Sequence, residues 1–508
     1  MAVHLAVYWI ITIRCPLHYL LSRANQQNTT LSVQLVNVPH LHHYIPEQNK
    51  NLDNFRDHSK TNYANYMGED DYILADICRK KNNKNDDNNN NNSDSNDNKQ
   101  FKRPTSSKII RSFLRAGPRR KTFFDPKTTK AAIVTCGGLC PGLNTVIYHI
   151  VSSLIKLYGV EDILGIRGGF HGFYNGVEPL QLTEKLVEGI QHDGGTMLGA
   201  ARGGFDSEKI FNAIKNWNVN IVFIIGGDGT HRGALKLHEL AKERKEPIAF
   251  VGIPKTIDND IDIIDRSFGF ETAIEEARNA IKSAKTEAEC APNGVGIVKL
   301  MGRHAGFIAV HATLASGDVD LVLIAELPVN VNPGDPKNCL EHVKKAILNN
   351  GHAVVVVAEG AGEDILIKES SQFAKPLMKR AVTEGTTIKH QTNAQGVQPK
   401  LPPIGQWIKE RLKKYLKEKD INATVKYIDP SYMIRSVPAN GADNVYCLLL
   451  GQNSVHGVMA GYSGFSVALV NNKVVYIPID QLVKNSPRAV NPNGRTVERI
   501  LSITHQPR

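Results

Sequence analysis

The sequence predicts an α/β protein built on parallel strands. Near its centre lie two short, mostly apolar runs, residues 221–225 and 248–253, with a helical stretch between them. Each run ends in a polar loop, which is typical of parallel strands with both faces covered. Ligands bind beyond the carboxyl ends of such strands. We therefore expect the functional residues in the two loops, residues 226–230 and 254–260.

The residue types in these loops suit a phosphorylated ligand. The glycines within residues 226–229 let the backbone approach a phosphate closely, and a helix starting near Thr230 directs its positive end at an anion. Asp228 can hold hydrated Mg²⁺, and Asp258 is a candidate base for a hydroxyl that attacks phosphorus. The alternative is that these carboxylates only cap helices and shape turns. Two such loops on consecutive strands favour the phosphate site.

A second phosphate cradle is predicted ahead of this centre. Residues 131–135 read as a buried strand and residues 136–142 as a Gly-rich turn. A helix follows, with Pro141 near its first turn, where a missing N–H is harmless. This strand–loop–helix unit again presents backbone amides and a helix start to an anion.

Helix and strand continue to alternate after residue 262. Residues 301–306 follow a predicted strand and open a helix, and Arg303 in that loop offers a planar fork for phosphate oxygens. Residues 363–403 read as a surface loop. The other predicted elements are helices over residues 268–288, 404–415 and 442–460 and strands over residues 294–300, 321–325, 352–358, 424–427 and around Phe465 and Val474.

The first 127 residues differ from the rest. Residues 1–46 contain no acidic side chain and open with an apolar run, residues 2–13, that is too short to span a membrane. Such a start is compatible with a targeting sequence. Residues 80–100 are Asn-rich and have too little apolar surface to fold. We therefore expect a largely disordered leader over residues 1–127.

Composition excludes several classes of protein. The 508 residues are 41% hydrophobic, which is enough for sizeable cores. The net charge is +11, but the basic residues are scattered among acidic ones, so we expect no nucleic-acid partner. Seven cysteines spread along the chain fit reduced thiols. Cys136 and Cys140 have no second pair, so a zinc site is not expected.

Five motifs together carry a resemblance to a known family. They are CGGLCPGLN at residues 136–144, GGDGT at 226–230, PKTIDND at 254–260, MGRHAG at 301–306 and DPSYMIR at 429–435. In this order they resemble 6-phosphofructokinases, and the chain looks most like the plant and trypanosomatid ATP-dependent branch, which is related to pyrophosphate-dependent enzymes. GGDGT alone also occurs in diacylglycerol and NAD kinases, which would lack PKTIDND and MGRHAG.

The resemblance implies two doubly wound, Rossmann-like lobes with the active site in the cleft between them. The nucleotide-binding lobe is expected over residues 128–270 and 433–508, and the sugar-phosphate-binding lobe over residues 271–432. The implied reaction is the glycolytic transfer of the ATP γ-phosphate to the 1-hydroxyl of fructose 6-phosphate. A cytoplasmic homotetramer under allosteric control is implied as well, although no motif marks the effector, and organelle targeting by the leader remains an alternative.

The resemblance also implies residue roles. In the catalytic group, Asp258 takes the hydroxyl proton, Lys255 and Arg303 neutralise the transferring phosphate, and Thr256 orients the sugar. The residues expected at the nucleotide and its Mg²⁺ are Gly138, Phe170, Arg202, Asp228, Gly229, Thr230 and Gly233, with Asp228 as the metal ligand. The residues expected at the sugar phosphate are Thr256, Asp258, Asp260, Met301, Gly302, Arg303, Glu359, Lys426, Tyr432 and Arg435.

Some positions depart from the bacterial pattern. Leu139 stands where many bacterial relatives have Asp, a change that the plant-like branch shares. Lys426 matches a basic position contributed across a subunit contact. Gly294 stands where bacterial relatives place a second cross-subunit arginine, which puts that contact in doubt.

The phosphoryl donor depends on two positions. Gly229 leaves room for an α-phosphate, whereas pyrophosphate-dependent relatives carry Asp there. Lys255 is shared with pyrophosphate enzymes, but its charge can serve either donor. We therefore expect ATP. The alternatives are a pyrophosphate-dependent enzyme and a catalytically silent regulatory paralogue.

Overall fold

The computed structural model describes residues 31–45, 52–53, 66–75, 108–369 and 403–508. The strands are β1 (Leu31–Val36), β2 (Leu52–Asp53), β3 (Tyr72–Leu74), β4 (Lys108–Arg115), β5 (Lys121–Thr122), β6 (Lys130–Thr135), β7 (Asp162–Ile166), β8 (Leu180–Gln181), β9 (Ile221–Gly226), β10 (Ala249–Pro254), β11 (Gly294–Leu300), β12 (Leu321–Leu323), β13 (His352–Ala358), β14 (Val425–Ile428), β15 (Phe465–Val470) and β16 (Lys473–Pro478).

The α-helices are α1 (Leu143–Ser153), α2 (Glu184–Val187), α3 (Ser207–Asn216), α4 (Asp228–Glu243), α5 (Phe270–Glu289), α6 (Phe307–Ser316), α7 (Cys339–Asn350), α8 (Glu363–Glu369), α9 (Ile404–Glu418), α10 (Ser431–Arg435), α11 (Gly441–Met459), α12 (Ile479–Lys484) and α13 (Arg495–Thr504). Across these described segments, no helix combines the length and the apolar character needed to cross a membrane.

The larger sheet has the strand order β1–β4–β16–β15–β10–β9–β6–β7–β8, with β3 paired to β4. Its middle, from β15 to β7, is parallel. Side chains alternate between its two faces. Ile221, Phe223 and Ile225 of β9 enter one core with helices α1 and α11, and Val222 and Ile224 enter another with α3 and α4. Both faces are covered, which explains why these runs are continuously apolar.

The smaller sheet has four parallel strands in the order β12–β13–β11–β14. Val298 and Leu300 of β11 enter the same core as Ile221 and Phe223 of the larger sheet. Val295 and Ile297 face the opposite core, which includes residues of α7 and α9. The two sheets are therefore layers around one shared core, and the prediction of an α/β protein with two doubly wound lobes is confirmed.

Most predicted boundaries agree with the structure within about two residues, as element ends usually do. The strands predicted over residues 294–300 and 352–358 coincide with β11 and β13. Helix α4 begins at Asp228, two residues before the predicted start, so Asp228 lies in its first turn. Residues 363–369, predicted to lie in a loop, form helix α8 because Leu366 is buried in the smaller lobe. Residues 370–402 lie outside the described part of the chain.

The prediction of a largely disordered leader is wrong for the described stretches of residues 1–127. Strands β1, β3 and β4 belong to the larger sheet. Between β1 and β2, Val38 and Leu41 are buried in the core, and the backbone N–H of Leu41 donates to the Gly461 carbonyl at 2.9 Å. Apolar residues scattered through this polar region therefore gain their burial from strands far along the chain. The Asn-rich stretch over residues 80–100 is outside the described residues.

The C-terminal end of the chain packs in the smaller lobe, whereas the prediction places it in the nucleotide-binding lobe. Helix α13 packs against α6 and β12, both in the smaller lobe. The side chain of Gln506 accepts from the Val322 N–H at 2.8 Å and donates to the Val322 carbonyl at 3.0 Å. The boundary that places all of residues 433–508 in the nucleotide-binding lobe is therefore wrong for residues 495–508.

Replacing Leu41 with Ala is expected to destabilise the protein by about 2–5 kcal/mol, the usual cost of truncating a buried leucine. Leu41 is fully buried, whereas Leu35 on the neighbouring strand is 54% exposed. Leu35→Ala is the matched control and should change the unfolding free energy by less than about 0.5 kcal/mol. Urea unfolding measures both. Equal, small effects would show that this segment is not part of the core.

Candidate active site

Three polar loops leave the larger sheet at the same edge. Strands β9 and β10 are parallel neighbours, with Gly226 opposite Pro254, so the loops that follow them start side by side. Strand β6 lies on the other side of β9, with Thr135 opposite Ile225, and brings the Gly-rich turn over residues 136–142 to the same edge. The structure thus unites the two phosphate cradles that the sequence predicts separately.

Asp258 is the most perturbed carboxyl group in this region. Its Oδ1 is closed off from solvent and has no hydrogen-bond partner among the described residues. Burial, followed by the negative charges of Asp260 and Glu359, raises the pKa of Asp258 to about 8, and the cations Lys255 and Arg202 oppose this shift. A buried carboxyl with an unpaired oxygen and a pKa near neutrality is suited to accept a proton from a bound hydroxyl.

The rest of this loop is held by its own side chains. Thr256 Oγ1 donates to Asp260 Oδ1 at 2.7 Å and accepts from the Asp258 N–H at 3.2 Å. The Thr256 carbonyl accepts from Ser267 Oγ at 2.5 Å. Burial raises the pKa of Asp260, which the Thr256 hydrogen bond partly offsets. These bonds fix the backbone on both sides of Asp258.

Lys255 connects this loop to the Gly-rich turn. Its Nζ donates to the Gly138 carbonyl at 2.8 Å, and its side chain is 6% exposed. Burial lowers the pKa of Lys255. A Cβ at Gly137, where φ is +91°, would lie 3.3 Å from this Nζ, and a Cβ at Gly138 would lie 3.7 Å from an Arg202 nitrogen. Two cations therefore border the turn, as a phosphate site requires.

Asp228 lies in the first turn of α4 and pairs with Arg232 one turn later, Nε to Oδ2 at 3.1 Å. Burial raises the pKa of Asp228, and the charge of Asp228 contributes to the raised pKa of Asp260. These two carboxylates are thus close enough to interact. Among the described residues, no group of three or more His, Cys, Asp or Glu could hold a metal. Mg²⁺ commonly binds one or two carboxylates together with phosphates and water, so this pair fits that ion.

The predicted nucleotide-binding glycines differ in their surroundings. A Cβ at Gly229 would have no heavy atom within 4 Å, so this position faces open space. A Cβ at Gly233 would lie 2.9 Å from Phe205 and 3.2 Å from Phe170, whose rings pack edge to face at 5.2 Å. Thr230 instead packs against Gly226, since a Cβ built on Gly226 would lie 2.5 Å from the Thr230 side chain. Of these three positions, Gly229 is therefore the one that a ligand can approach.

The smaller lobe contributes the loop at residues 301–306. Gly302 has φ +126°, and the Glu359 N–H donates to the Leu300 carbonyl at 2.9 Å, which joins this loop to the end of β13. Burial lowers the pKa of Arg303, and the charges of Glu359 and Arg202 also act on Arg303. Because Arg202 belongs to the larger lobe, the two lobes meet at one cleft. Met301, ahead of Gly302, is 9% exposed.

The predicted sugar-phosphate residues are brought together only in part. The Arg435 guanidinium lies 4.9 Å from the centre of the Tyr432 ring, and Tyr432 is 74% exposed. The Nε of Arg435 is buried without a hydrogen-bond partner in the described chain. Lys426 instead pairs with Glu287 of α5. Within the described residues, Lys426 makes no hydrogen bond or ion pair with another predicted site residue.

Comparison with known proteins agrees with this geometry. The family model described as phosphofructokinase matches residues 130–458. ATP-dependent 6-phosphofructokinase 1 of Arabidopsis thaliana is 48% identical over 395 residues, which cover 78% of this chain and 79% of that protein. The chain belongs to the phosphofructokinase family.

Other relatives extend this result. The chloroplastic ATP-dependent 6-phosphofructokinase 5 of Arabidopsis thaliana is 46% identical over 394 residues, covering 77% of this chain and 69% of that protein. The crystal structure of a pyrophosphate-dependent phosphofructokinase from Marinobacter aquaeolei superposes with a TM-score of 0.57 at 19% identity, covering 74% of this chain and 91% of that one. At this identity the structural likeness establishes the phosphofructokinase fold alone.

Lys299 is a residue of this phosphofructokinase site that the motifs do not mark. Its Nζ lies 3.0 Å from Ser431 Oγ, 3.3 Å from an Asp429 oxygen and 3.6 Å from a Glu359 oxygen. Lys299 therefore joins the ends of β11 and β13 to the segment that carries Arg435. The only sequence signal for Lys299 is a charged residue near the carboxyl end of an otherwise apolar strand, β11.

Proposed function

We propose that this protein transfers the γ-phosphate of ATP to the 1-hydroxyl of fructose 6-phosphate, forming fructose 1,6-bisphosphate. The observation that carries the proposal is the buried, unpaired Oδ1 of Asp258, in a cleft that cations from both lobes border. Phosphoryl transfer depends mainly on positioning and on electrostatic stabilisation of the transferring group. A single base among fixed cations meets both requirements.

In this mechanism Asp258 accepts the proton of the attacking hydroxyl through Oδ1. Lys255 and Arg303 approach from opposite lobes and neutralise negative charge on the transferring phosphoryl group. Thr256 keeps Asp258 in place through its hydrogen bond to the Asp258 N–H and, with Asp260, orients the sugar. Because these donors are already fixed, little reorganisation accompanies the reaction.

The nucleotide side is assigned to the Gly-rich turn and the start of α4. Gly138, Gly229 and Thr230 present the backbone to the phosphates, with Arg202 as their cationic partner. Phe170 and Gly233 shape the neighbouring wall. Asp228 would hold Mg²⁺, and Asp260, whose pKa the charge of Asp228 raises, would bind water of that ion. When bound, Mg²⁺ neutralises phosphate charge during the transfer.

The sugar side is assigned to the smaller lobe. Arg435 binds the 6-phosphate, and Tyr432 lies against it. Glu359 accepts hydrogen bonds from sugar hydroxyls, and Met301 and Gly302 form the wall of the pocket. Lys426 acts across a subunit contact in a homotetramer, which accounts for its position away from the other sugar residues of its own chain.

Replacing Arg435 with Ala is expected to raise KM for fructose 6-phosphate by about tenfold to a hundredfold, because hydrogen bonds to charged groups contribute roughly 1.5–3 kcal/mol. KM for ATP should stay within about threefold, since Arg435 lies on the sugar side. Steady-state kinetics with each substrate varied in turn measure both constants. Arg278→Ala, at an exposed position of α5, is the matched control. A larger rise in KM for ATP than for the sugar would contradict the assignment.

The proposed activity is tested with the purified protein and either ATP or pyrophosphate as donor, coupled to detection of fructose 1,6-bisphosphate. Product formation with ATP and little with pyrophosphate is the expected result. Preference for pyrophosphate would overturn the donor and leave the sugar site in place. Inactivity with both donors would support a silent paralogue. We also propose a cytoplasmic location, which imaging of a C-terminally tagged protein would distinguish from an organelle.

A further inference from the structure

A C-terminal segment holds the loop that carries Asp258. We name residues 483–490 the interlobe strap. At its centre, Arg488 Nε donates to the Asn259 carbonyl at 3.1 Å, and Arg488 Nη1 donates to the Ile264 carbonyl at 3.2 Å. The backbone N–H of Arg488 donates to the Asp260 carbonyl at 2.6 Å. Three hydrogen bonds from one residue thus reach both sides of the turn that follows Asp258.

That turn is strained and needs external support. Asn259 has φ +54° and Ile263 has φ +74°. A β-branched residue in the left-handed region is a genuine outlier, and such conformations persist only where the surroundings hold them. The carbonyl groups of Asn259 and Ile264, which flank the outlier Ile263, are the two acceptors of the Arg488 side chain. The planar guanidinium presents its N–H donors in a fixed fork that serves both acceptors, whereas a lysine offers one compact ammonium group on a flexible stem.

The strap also contacts the metal side of the site. Arg232, the partner of Asp228, donates from Nη2 to the Val483 carbonyl at 2.9 Å. Ser486 Oγ accepts from the Asp262 N–H at 3.0 Å. The stretch that follows Asp258 and, through Arg232, the carboxylate assigned to Mg²⁺ are therefore tied to the same segment.

At its other end the strap reaches the smaller lobe. The Arg488 guanidinium lies 5.3 Å from the centre of the Phe307 ring, the first residue of α6. The Val490 N–H donates to Glu326 Oε1 at 2.8 Å, and the same carboxylate oxygen accepts from the Gly306 N–H at 2.9 Å. Gly306 closes the loop that contains Arg303. The strap thus connects the loops that carry the proposed base and Arg303.

We propose that Arg488 is a positioning residue for the phosphoryl transfer. Arg488 holds Asp258 in line with the substrate that the smaller lobe binds. This inference rests on the proposed function for its kinetic consequence. Arg488 acts through the loop backbone and touches neither substrate. Its loss should therefore reduce turnover more than substrate binding, because misplacing a reacting group by about 1 Å can cost a hundredfold in rate.

The test is Arg488→Met, which keeps a flexible apolar stem and removes all side-chain donors. We expect kcat to fall by about tenfold to a hundredfold, while KM for ATP and for fructose 6-phosphate each change by less than about threefold. Amide hydrogen exchange of residues 256–264 should become faster. Arg488→Lys should have a kcat between those of Arg488→Met and the wild type. Arg499→Met, at an exposed position of α13, is the matched control and should resemble the wild type.

Three results would overturn the proposal. They are unchanged exchange in residues 256–264, unchanged kcat with only a lower melting temperature, and a rise in both KM values with kcat intact. If Arg488→Met does not fold, Arg488→Lys takes its place in the same measurements, with the same outcomes. Inactivity of the wild type would refute the proposed function instead, and the exchange measurement would still decide whether Arg488 holds the loop.

Discussion

Replacing Asp258 with Asn is expected to lower kcat by about a hundredfold to ten-thousandfold, the usual contribution of a positioned general base. Asn has almost the same shape, and KM for fructose 6-phosphate should therefore change little. The wild-type kcat/KM should rise as the pH is raised towards about 8, because burial raises the pKa of Asp258 to about 8 and only the carboxylate accepts a proton. Initial rates over pH 6–9.5 test both expectations.

The same substitution should stabilise the protein at alkaline pH. The pKa of Asp258 is raised from 3.8 in the free side chain to about 8 in the fold, so folding favours the protonated form. Its stabilising effect is complete below pH 3.8 and is lost as the pH rises to 8. Asn never ionises, so the melting temperature of the variant relative to the wild type should increase between pH 4 and pH 8 and then level off.

A matched control for Asp258 lies in the same loop. Asp265 is exposed and accepts hydrogen bonds from the Asn471 and Asn472 N–H groups, away from the cleft. Asp265→Asn should keep kcat within about threefold of the wild type. If Asp258→Asn keeps kcat within tenfold, Asp258 is not the base.

Replacing Gly229 with Asp is expected to remove most ATP-dependent activity without unfolding the protein. The position faces open space, and its φ lies outside the left-handed region, so a side chain can be accommodated. A carboxylate about 5 Å from the α-phosphate costs roughly 3 kcal/mol at an effective dielectric constant of 20. This corresponds to a loss of roughly a hundredfold or more in kcat/KM for ATP. Because Gly229 lies in the first turn of α4, the new negative charge should not lower the melting temperature.

The control for Gly229 separates charge from size. Gly229→Asn adds almost the same volume without the charge, so it should retain at least tenfold more ATP-dependent activity than Gly229→Asp. Gly229→Ala should stay close to the wild type. All three variants are compared by kcat/KM with ATP and with pyrophosphate. Full ATP-dependent activity in Gly229→Asp would show that the α-phosphate does not pass this position.

The sequence predicts the site well where chemistry and strand order coincide. The loops at residues 226–230 and 254–260 follow long apolar runs, and parallel pairing of β9 and β10 brings them together. Strands β11 and β13 are equally clear, because mostly apolar runs mark strands that are buried on both faces. Local pattern and global fold agree in these regions.

The elements that the sequence does not reveal depend on partners far along the chain. Strand β1 alternates in a polar region and is recognised only through its pairing with β4. Helix α13 has no local feature that assigns it to the smaller lobe, and Lys299 carries no motif. Arg488 lies more than two hundred residues from the carbonyl groups that it binds. Such contacts follow from the folded path of the chain, which composition and periodicity do not contain.

The strand order of the larger sheet has a consequence for the newly made chain. Among the strands that the structure describes, β1, β3 and β4 connect to the central strands β10, β9, β6 and β7 only through β16 and β15, which are close to the C-terminus. Roughly 360 residues separate β4 from β16, so at about 5–20 residues per second a ribosome needs roughly 20 to 70 s between them. During that interval β4 lacks β16, the strand that links it to the rest of the sheet, and Phe113, fully buried in the finished fold, lacks most of its core. Strand β4 can therefore pair with β16 only after residues 473–478 have been synthesised, so the larger sheet is completed well after its central strands have been made.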